Sequence, residues 1–264
     1  MLALDELEVG FAEIAIEPIV DGDPERALEG LEERPGRLWL YRGWMLDETE
    51  YRTLEEALGE RGESLVVETE AMALTAYLPA WYPTLKAHTA DTRWTEHDDP
   101  AEAWERAQEL ERPWIIKDHV KSAKEQWHQA CFVPADATRS EFLAVCEALR
   151  DARGDRFERG FVVRSVLPLA ELPYRMPERP VHDEHRLFVW DGQVVAHAPY
   201  HDVDTRPPPL DAFDYLAEID SPLFSADVAR LNDGTWTLIE LNDGGMSTLP
   251  VQMDPRDLYR ELCR

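Results

Sequence analysis

Residues 225–245 read SADVARLNDGTWTLIELNDGG, two runs of alternating apolar and polar residues on either side of Asp233-Gly234. An Asp-Gly pair tolerates the positive φ angles of a tight hairpin turn, so the spacing predicts strands over 225–231 and 235–241. Alternation puts Glu240 and Asn242 on one face of the second strand and Ile239 and Leu241 on the other, with Asp227 on the partner strand. Two carboxylates and an amide oxygen on neighbouring strands are hard donors of the kind Mg²⁺ takes together with water and substrate phosphates. A polar sheet face running into a Gly-rich turn accounts for the same residues equally well.

Upstream, Asp191-Gly192 predicts a second hairpin, 186–190 with 193–198, in which Glu184 and Arg186 share a strand face. Strands over 113–120, 126–133 and 160–167, a helix over 140–153 ended by Gly154, and helices over 210–219 and 254–263 make the second half antiparallel α+β. The first half reads differently. A strand over 37–42, a helix over 47–62 with Asp47 as its cap, and a strand over 64–68 form a small α/β unit whose strands run parallel through the crossover helix. Residues 71–94 read as short helical turns and 99–111 as a helix, while 1–35 are acidic, weakly patterned and peripheral. The main boundary falls near 110, giving an N-terminal α/β region over 1–110 and a second domain over 111–264.

The chain has 264 residues, 44% hydrophobic and 31% charged, a composition that fits neither a disordered nor a membrane protein. No apolar run approaches the ~20 residues of a spanning helix. Acids occupy the opening residues where a secretory signal would be basic, and the three cysteines, Cys131, Cys146 and Cys263, show no CxxC spacing. Both features predict a cytoplasmic protein. Fifty-four acids against 27 bases give a net charge of −27, which repels polyanions and counts against broad, sequence-independent nucleic-acid binding while leaving room for a local basic pocket. Lysine breaks this pattern locally: of the four lysines, Lys117, Lys121 and Lys124 lie within eight residues, and the fourth is Lys86. Flexible ammonium groups clustered this way suit phosphate, although a solvated loop would also carry them. Four histidines, His182, His185, His197 and His201, raise a histidine-ligated metal enzyme as a rival, but strand spacing puts His182 and His185 on opposite faces. No GxSxG elbow supports a hydrolase. Trp44, Tyr51 and the aromatics of 77–82 fit either an acceptor site or core packing.

Taken in order, RGWMLDETEYRTLEEAL (42–58), PWIIKDHVKSAKEQWHQACFVP (113–134), GFVVRSVLPL (160–169), EHRLFVW (184–190) and the opening string resemble the ATP-grasp superfamily, and within it the divergent arginine-to-lysine (R-to-K) clade. The resemblance implies an ATP-grasp fold of two α+β lobes, about 111–165 and 166–264, preceded by a small pre-ATP-grasp-like unit. It implies that Lys117 contacts the nucleotide phosphates with help from Lys121, and that Arg164, Ser165 and Val166 form the hinge that meets adenine. Arg186 matches a catalytic basic residue near the γ-phosphate, with Glu184 a second-rank nucleotide contact. Asp227, Glu240 and Asn242 match the ligands of one or two Mg²⁺ ions. The implied activity is an ATP- and Mg²⁺-dependent ligase joining a small-molecule or peptide carboxylate to an amine through an acylphosphate, with no membrane partner and with homodimerisation open. A non-catalytic ATP sensor on the same scaffold is the alternative; the joint presence of Asp227, Glu240, Asn242 and Arg186 favours an enzyme. One departure stands out: residues 118–127 contain no glycine, whereas typical members cover the phosphates with a Gly-rich loop.

Overall fold

The computed structural model describes residues 6–7, 9–175 and 179–263. The chain divides into two compact units, one built from residues up to Ala76, His185–Ala226 and the chain from Leu241 onward, the other from Tyr77–Glu184 and Asp227–Glu240.

The first unit begins with two short helices, α1 (Glu17–Val20) and α2 (Pro24–Ala27), followed by β1 (Leu38–Trp39), α3 (Glu48–Glu60), β2 (Ser64–Leu65) and α4 (Thr69–Ala76). Asp47 caps α3 reciprocally: its carboxylate accepts the Glu50 N–H at 2.8 Å while Glu50 accepts the Asp47 N–H at 2.8 Å. Tyr51, Leu54, Ala57 and Leu58 then fall on one buried face of the helix. β1 and β2 pair in parallel, Leu38 with Ser64 and Trp39 with Leu65, as expected for strands joined through a helix. Among the described residues each strand has a single partner, and the ladder is two residues long.

The second unit opens with α5 (Leu78–Leu85), then β3 (Thr92–Trp94), α6 (Pro100–Ala107), β4 (Trp114–Asp118), α7 (Trp127–Ala130), β5 (Phe132–Val133), α8 (Arg139–Arg153) and β6 (Phe161–Ser165). Its sheet is antiparallel, in the order β3-β6-β4-β5. Thr138 and Glu141 form a capping box at the start of α8, and Gly154 ends it at φ 52°. Phe142, Val145, Cys146 and Leu149 of α8 pack on Trp114, Ile116, Phe161 and Val163. Trp104, Trp114 and Phe142 meet edge to face, with centroids 5.3–6.0 Å apart. Residues 126–130, expected as strand, are helical: QWHQACFV lacks strict alternation, and α7 lets Trp127 stack on Phe132 at 5.7 Å. Gly160 precedes β6 where a Cβ would collide with the Thr95 carbonyl and lie 2.8 Å from the His97 carbonyl. Gly160→Ala is therefore expected to destabilise the protein by about 1–3 kcal/mol, read as a lower urea midpoint at unchanged slope.

Beyond β6, the short hairpin of β7 (Glu171–Arg175) and β8 (Pro180–His182) belongs to the second unit and was not foreseen from sequence. β9 (Glu184–Trp190) and β10 (Gln193–Pro199) form the first expected hairpin, with Asp191 at φ 47° and Gly192 at φ 75° in its turn. β11 (Leu223–Arg230) and β12 (Trp236–Asp243) form the second, and the sheet order is β10-β9-β11-β12. Residues 210–218 form a 3₁₀ turn kinked at Phe213 rather than a regular helix. The closing helix α9 (Pro255–Leu262) buries Leu258 with Phe188, Ala196, Ala198 and Met253. No helix among the described residues is long and apolar enough to cross a membrane.

Candidate functional site

Strand alternation sorts the residues of β4. Trp114 and Ile116 turn toward α8, while Ile115 and Lys117 turn to the opposite face, where Arg164 of β6 lies directly across from Ile115. This second face lines a cavity of about 110 Å³ whose walls include Ile115, Lys117, Lys124, Cys131, Arg164 and Glu240. Lys117 is 4% exposed, and its ammonium forms an ion pair with the Glu240 carboxylate on β12. The residue spacing that suggested a phosphate site thus brings its lysines to the same acid that was expected to hold metal.

Burial alone would raise the pKa of Glu240, but the ammonium groups of Lys117, Lys121 and Lys124 outweigh it and hold the carboxylate well below its usual range. Burial lowers the pKa of Lys121; Glu240 and Asp227 oppose that shift, and the neighbouring Lys117 and Lys124 add to it. Lys121 thus feels the other four groups, and Glu240 feels all three lysines. Lys124 belongs to the cluster as fully as Lys121, and its sequence signal was the same 117, 121, 124 spacing.

Arg164 is buried, which lowers its guanidinium pKa to about 10. Its NH1 donates to the Ile239 carbonyl at 2.6 Å, its NH2 to Thr89 Oγ1 at 2.6 Å and its Nε to Thr92 Oγ1 at 3.2 Å. The side chain thus fixes the backbone next to Glu240. Along the expected hinge, the Ser165 N–H donates to Asp91 O and the Val166 N–H to Pro113 O, both at 3.0 Å. Pro113 has no N–H to return, so the ladder supplies no cross-strand donor to the Val166 carbonyl.

Asp227 is buried, and it and Glu184 lie in the second unit; Arg186 and Asn242, both buried, lie in the first. Arg186 donates to the Thr248 carbonyl at 3.0 Å and stands over the Tyr200 ring at 4.9 Å. Among the described residues no three His, Cys, Asp or Glu side chains are grouped so as to hold a metal, and this includes the four histidines around the first hairpin. The donor set nevertheless fits Mg²⁺ delivered with phosphate: Asp227 and Glu240 are hard oxygen donors, and Glu240 is held in its ionised form. Of the aromatics, Tyr51 and Trp81 are core residues, with the Tyr51 hydroxyl donating to the Val67 carbonyl at 2.9 Å. Trp44 is 80% exposed and lines a separate cavity of about 560 Å³ within the first unit, together with Trp39 and Arg42.

Residues 104–262 match the family described as ATP-grasp domain, R-to-K clade family 3. Among solved structures, a RimK-domain ATP-grasp protein from Sphaerobacter thermophilus aligns at TM-score 0.53 and 15% identity, over 93% of this chain and 89% of that one. N5-carboxyaminoimidazole synthase from Aspergillus clavatus, in complex with ADP and an aminoimidazole ribonucleotide, aligns at TM-score 0.50 and 14% identity, over 75% of this chain and 51% of the synthase. The ATP-grasp ligase PsnB, complexed with a minimal precursor, aligns at TM-score 0.47 and 17% identity, over 80% of this chain and 67% of that one. At these identities the likeness is one of fold. The comparison with curated proteins found no match. With the family match covering more than half its length, the chain belongs to the ATP-grasp domains of R-to-K clade family 3.

Proposed function

We propose that the protein is an ATP- and Mg²⁺-dependent ligase that joins a carboxylate to an amine through an acylphosphate. The observation that carries this reading is the Lys117–Glu240 ion pair, flanked by Lys121 and Lys124 beside a cavity, in a chain whose net charge is −27. Without nucleotide each charge satisfies the other. A polyphosphate with its metal offers both a new partner of opposite sign: phosphate oxygens for the lysines, and Mg²⁺ for Glu240, Asp227 and Asn242. Arg164 keeps the backbone beside Glu240 in place for this exchange, and the Val166 carbonyl is an acceptor suited to the exocyclic amine of adenine. Bound Mg²⁺ would supply neutralising charge along the phosphates. A substrate carboxylate oxygen attacks the γ-phosphorus and ADP leaves, with Arg186 and Lys117 stabilising the charge that develops. The amine then attacks the acyl carbon, phosphate departs, and the nitrogen loses a proton to give the amide.

Calorimetric titration with a non-hydrolysable ATP analogue tests the reading. Binding should strengthen about tenfold or more on adding Mg²⁺, because without the metal Glu240 and Asp227 face the phosphates as like charges. No binding at millimolar analogue would overturn the proposal. Phosphate release that requires both an acid and an amine then separates a ligase from an ATP sensor, which binds without turnover.

A further inference from the structure

The glycine-free turn after β4 has an unusual means of holding its shape. Alternation turns Asp118 away from Lys117 and toward α8, and its side chain is fully buried. One carboxylate oxygen, Oδ1, accepts the backbone N–H groups of Val120 at 2.7 Å and Lys121 at 2.5 Å. The other, Oδ2, accepts Nε of Arg153, the last residue of α8, at 2.7 Å and the Glu158 N–H at 3.4 Å. The Asp118 N–H in turn donates to the Lys121 carbonyl at 3.0 Å, closing residues 118–121 into a ring of hydrogen bonds. A carboxylate that accepts successive backbone N–H groups fixes a turn in the way a helix cap does, and it does so without glycine. Arg153 anchors that carboxylate through its own second bond, from NH2 to the Arg156 carbonyl at 2.8 Å.

We infer that Asp118 is a positioning residue that sets where Lys121 leaves the end of β4, and so where its ammonium meets the nucleotide phosphates. The inference rests on the nucleotide site proposed above. In a Gly-rich loop the backbone itself approaches the phosphates; here the backbone N–H groups of Val120 and Lys121 are spent on Asp118, and the phosphate contact passes to the lysine side chain. Asp118 faces the sheet's opposite side, so it touches no nucleotide.

A double-mutant cycle read by titration with the non-hydrolysable ATP analogue and Mg²⁺ tests this. Asp118→Asn keeps one acceptor oxygen for the turn but cannot accept from Arg153 with its amide nitrogen. It is expected to weaken the analogue about tenfold, and Lys121→Ala at least as much. The double variant Asp118→Asn with Lys121→Ala should bind within about twofold of Lys121→Ala alone, since a misplaced lysine that is absent costs nothing further. Arg153→Met, which leaves the turn bonds in place, should lower affinity less than Asp118→Asn does. Wild-type affinity in Asp118→Asn would overturn the inference. So would full multiplication of the two single effects, which marks a general structural role independent of Lys121. Circular dichroism on each variant confirms the fold before titration. Wild-type protein that binds no analogue overturns the nucleotide reading itself, a result distinct from a wild type that binds and variants that bind equally well.

Discussion

Lys117→Ala is expected to weaken the non-hydrolysable ATP analogue by about 10- to 100-fold and to lower turnover further still. A charge-assisted hydrogen bond contributes about 1.5–3 kcal/mol, and each 1.4 kcal/mol is a factor of ten in affinity. The larger kinetic loss follows because charge on the transferring phosphoryl group builds up only as the reaction proceeds. The same substitution acts on stability. Removing one member of a buried pair typically costs about 3–5 kcal/mol, since the other charge stays behind. Here Lys121 and Lys124 remain near Glu240, so the loss should fall at the low end of that range. Denaturant midpoints measured beside the titrations separate the two effects. A variant of lowered stability but unchanged analogue affinity would show that Lys117 serves Glu240 alone.

The parts of this molecule that repeat a local rule were legible in its sequence. Asp47 and Glu50 announce α3, and Asp191-Gly192 and Asp233-Gly234 announce two hairpins, because capping and turn geometry are settled within a few residues. The spacing of Lys117, Lys121 and Lys124 likewise marked a cluster, and the strand period grouped Glu240 with Asn242, but that Glu240 pairs with Lys117 was not readable from either. What stayed hidden depends on partners far along the chain. The resemblance implies a main-chain role for Arg164 in the hinge and is silent on its side chain, whose guanidinium donates to Ile239, Thr89 and Thr92. Asp118 reads as one acid among 54, and only the register of β4 against α8 brings it to Arg153. The helix at 127–130 escaped detection because its apolar residues follow neither period, and the β7–β8 hairpin because its strands are short and rich in proline.

Glu240→Gln should remove most of the metal dependence of binding. In the wild type Glu240 opposes phosphate until a cation is bound, and it also occupies the Lys117 ammonium. Glutamine keeps the shape and removes the charge, so analogue affinity without Mg²⁺ is expected to rise several-fold, while added Mg²⁺ improves it far less than in the wild type. Acid- and amine-dependent phosphate release should fall at least about 100-fold, because charge stabilisation at the phosphates is lost. Acid stability supplies an independent check. The Glu240 pKa lies lower in the folded chain than its unfolded value near 4.5, so its contribution is fully present above that value and is lost as pH falls through the folded value. Glu240→Gln should therefore lower stability at neutral pH and flatten its decline below about pH 4.5. If Mg²⁺ improved analogue binding equally in the wild type and in Glu240→Gln, the carboxylate would be a partner of Lys117 and not a metal ligand, and the acid-stability profile would still report the ion pair by itself.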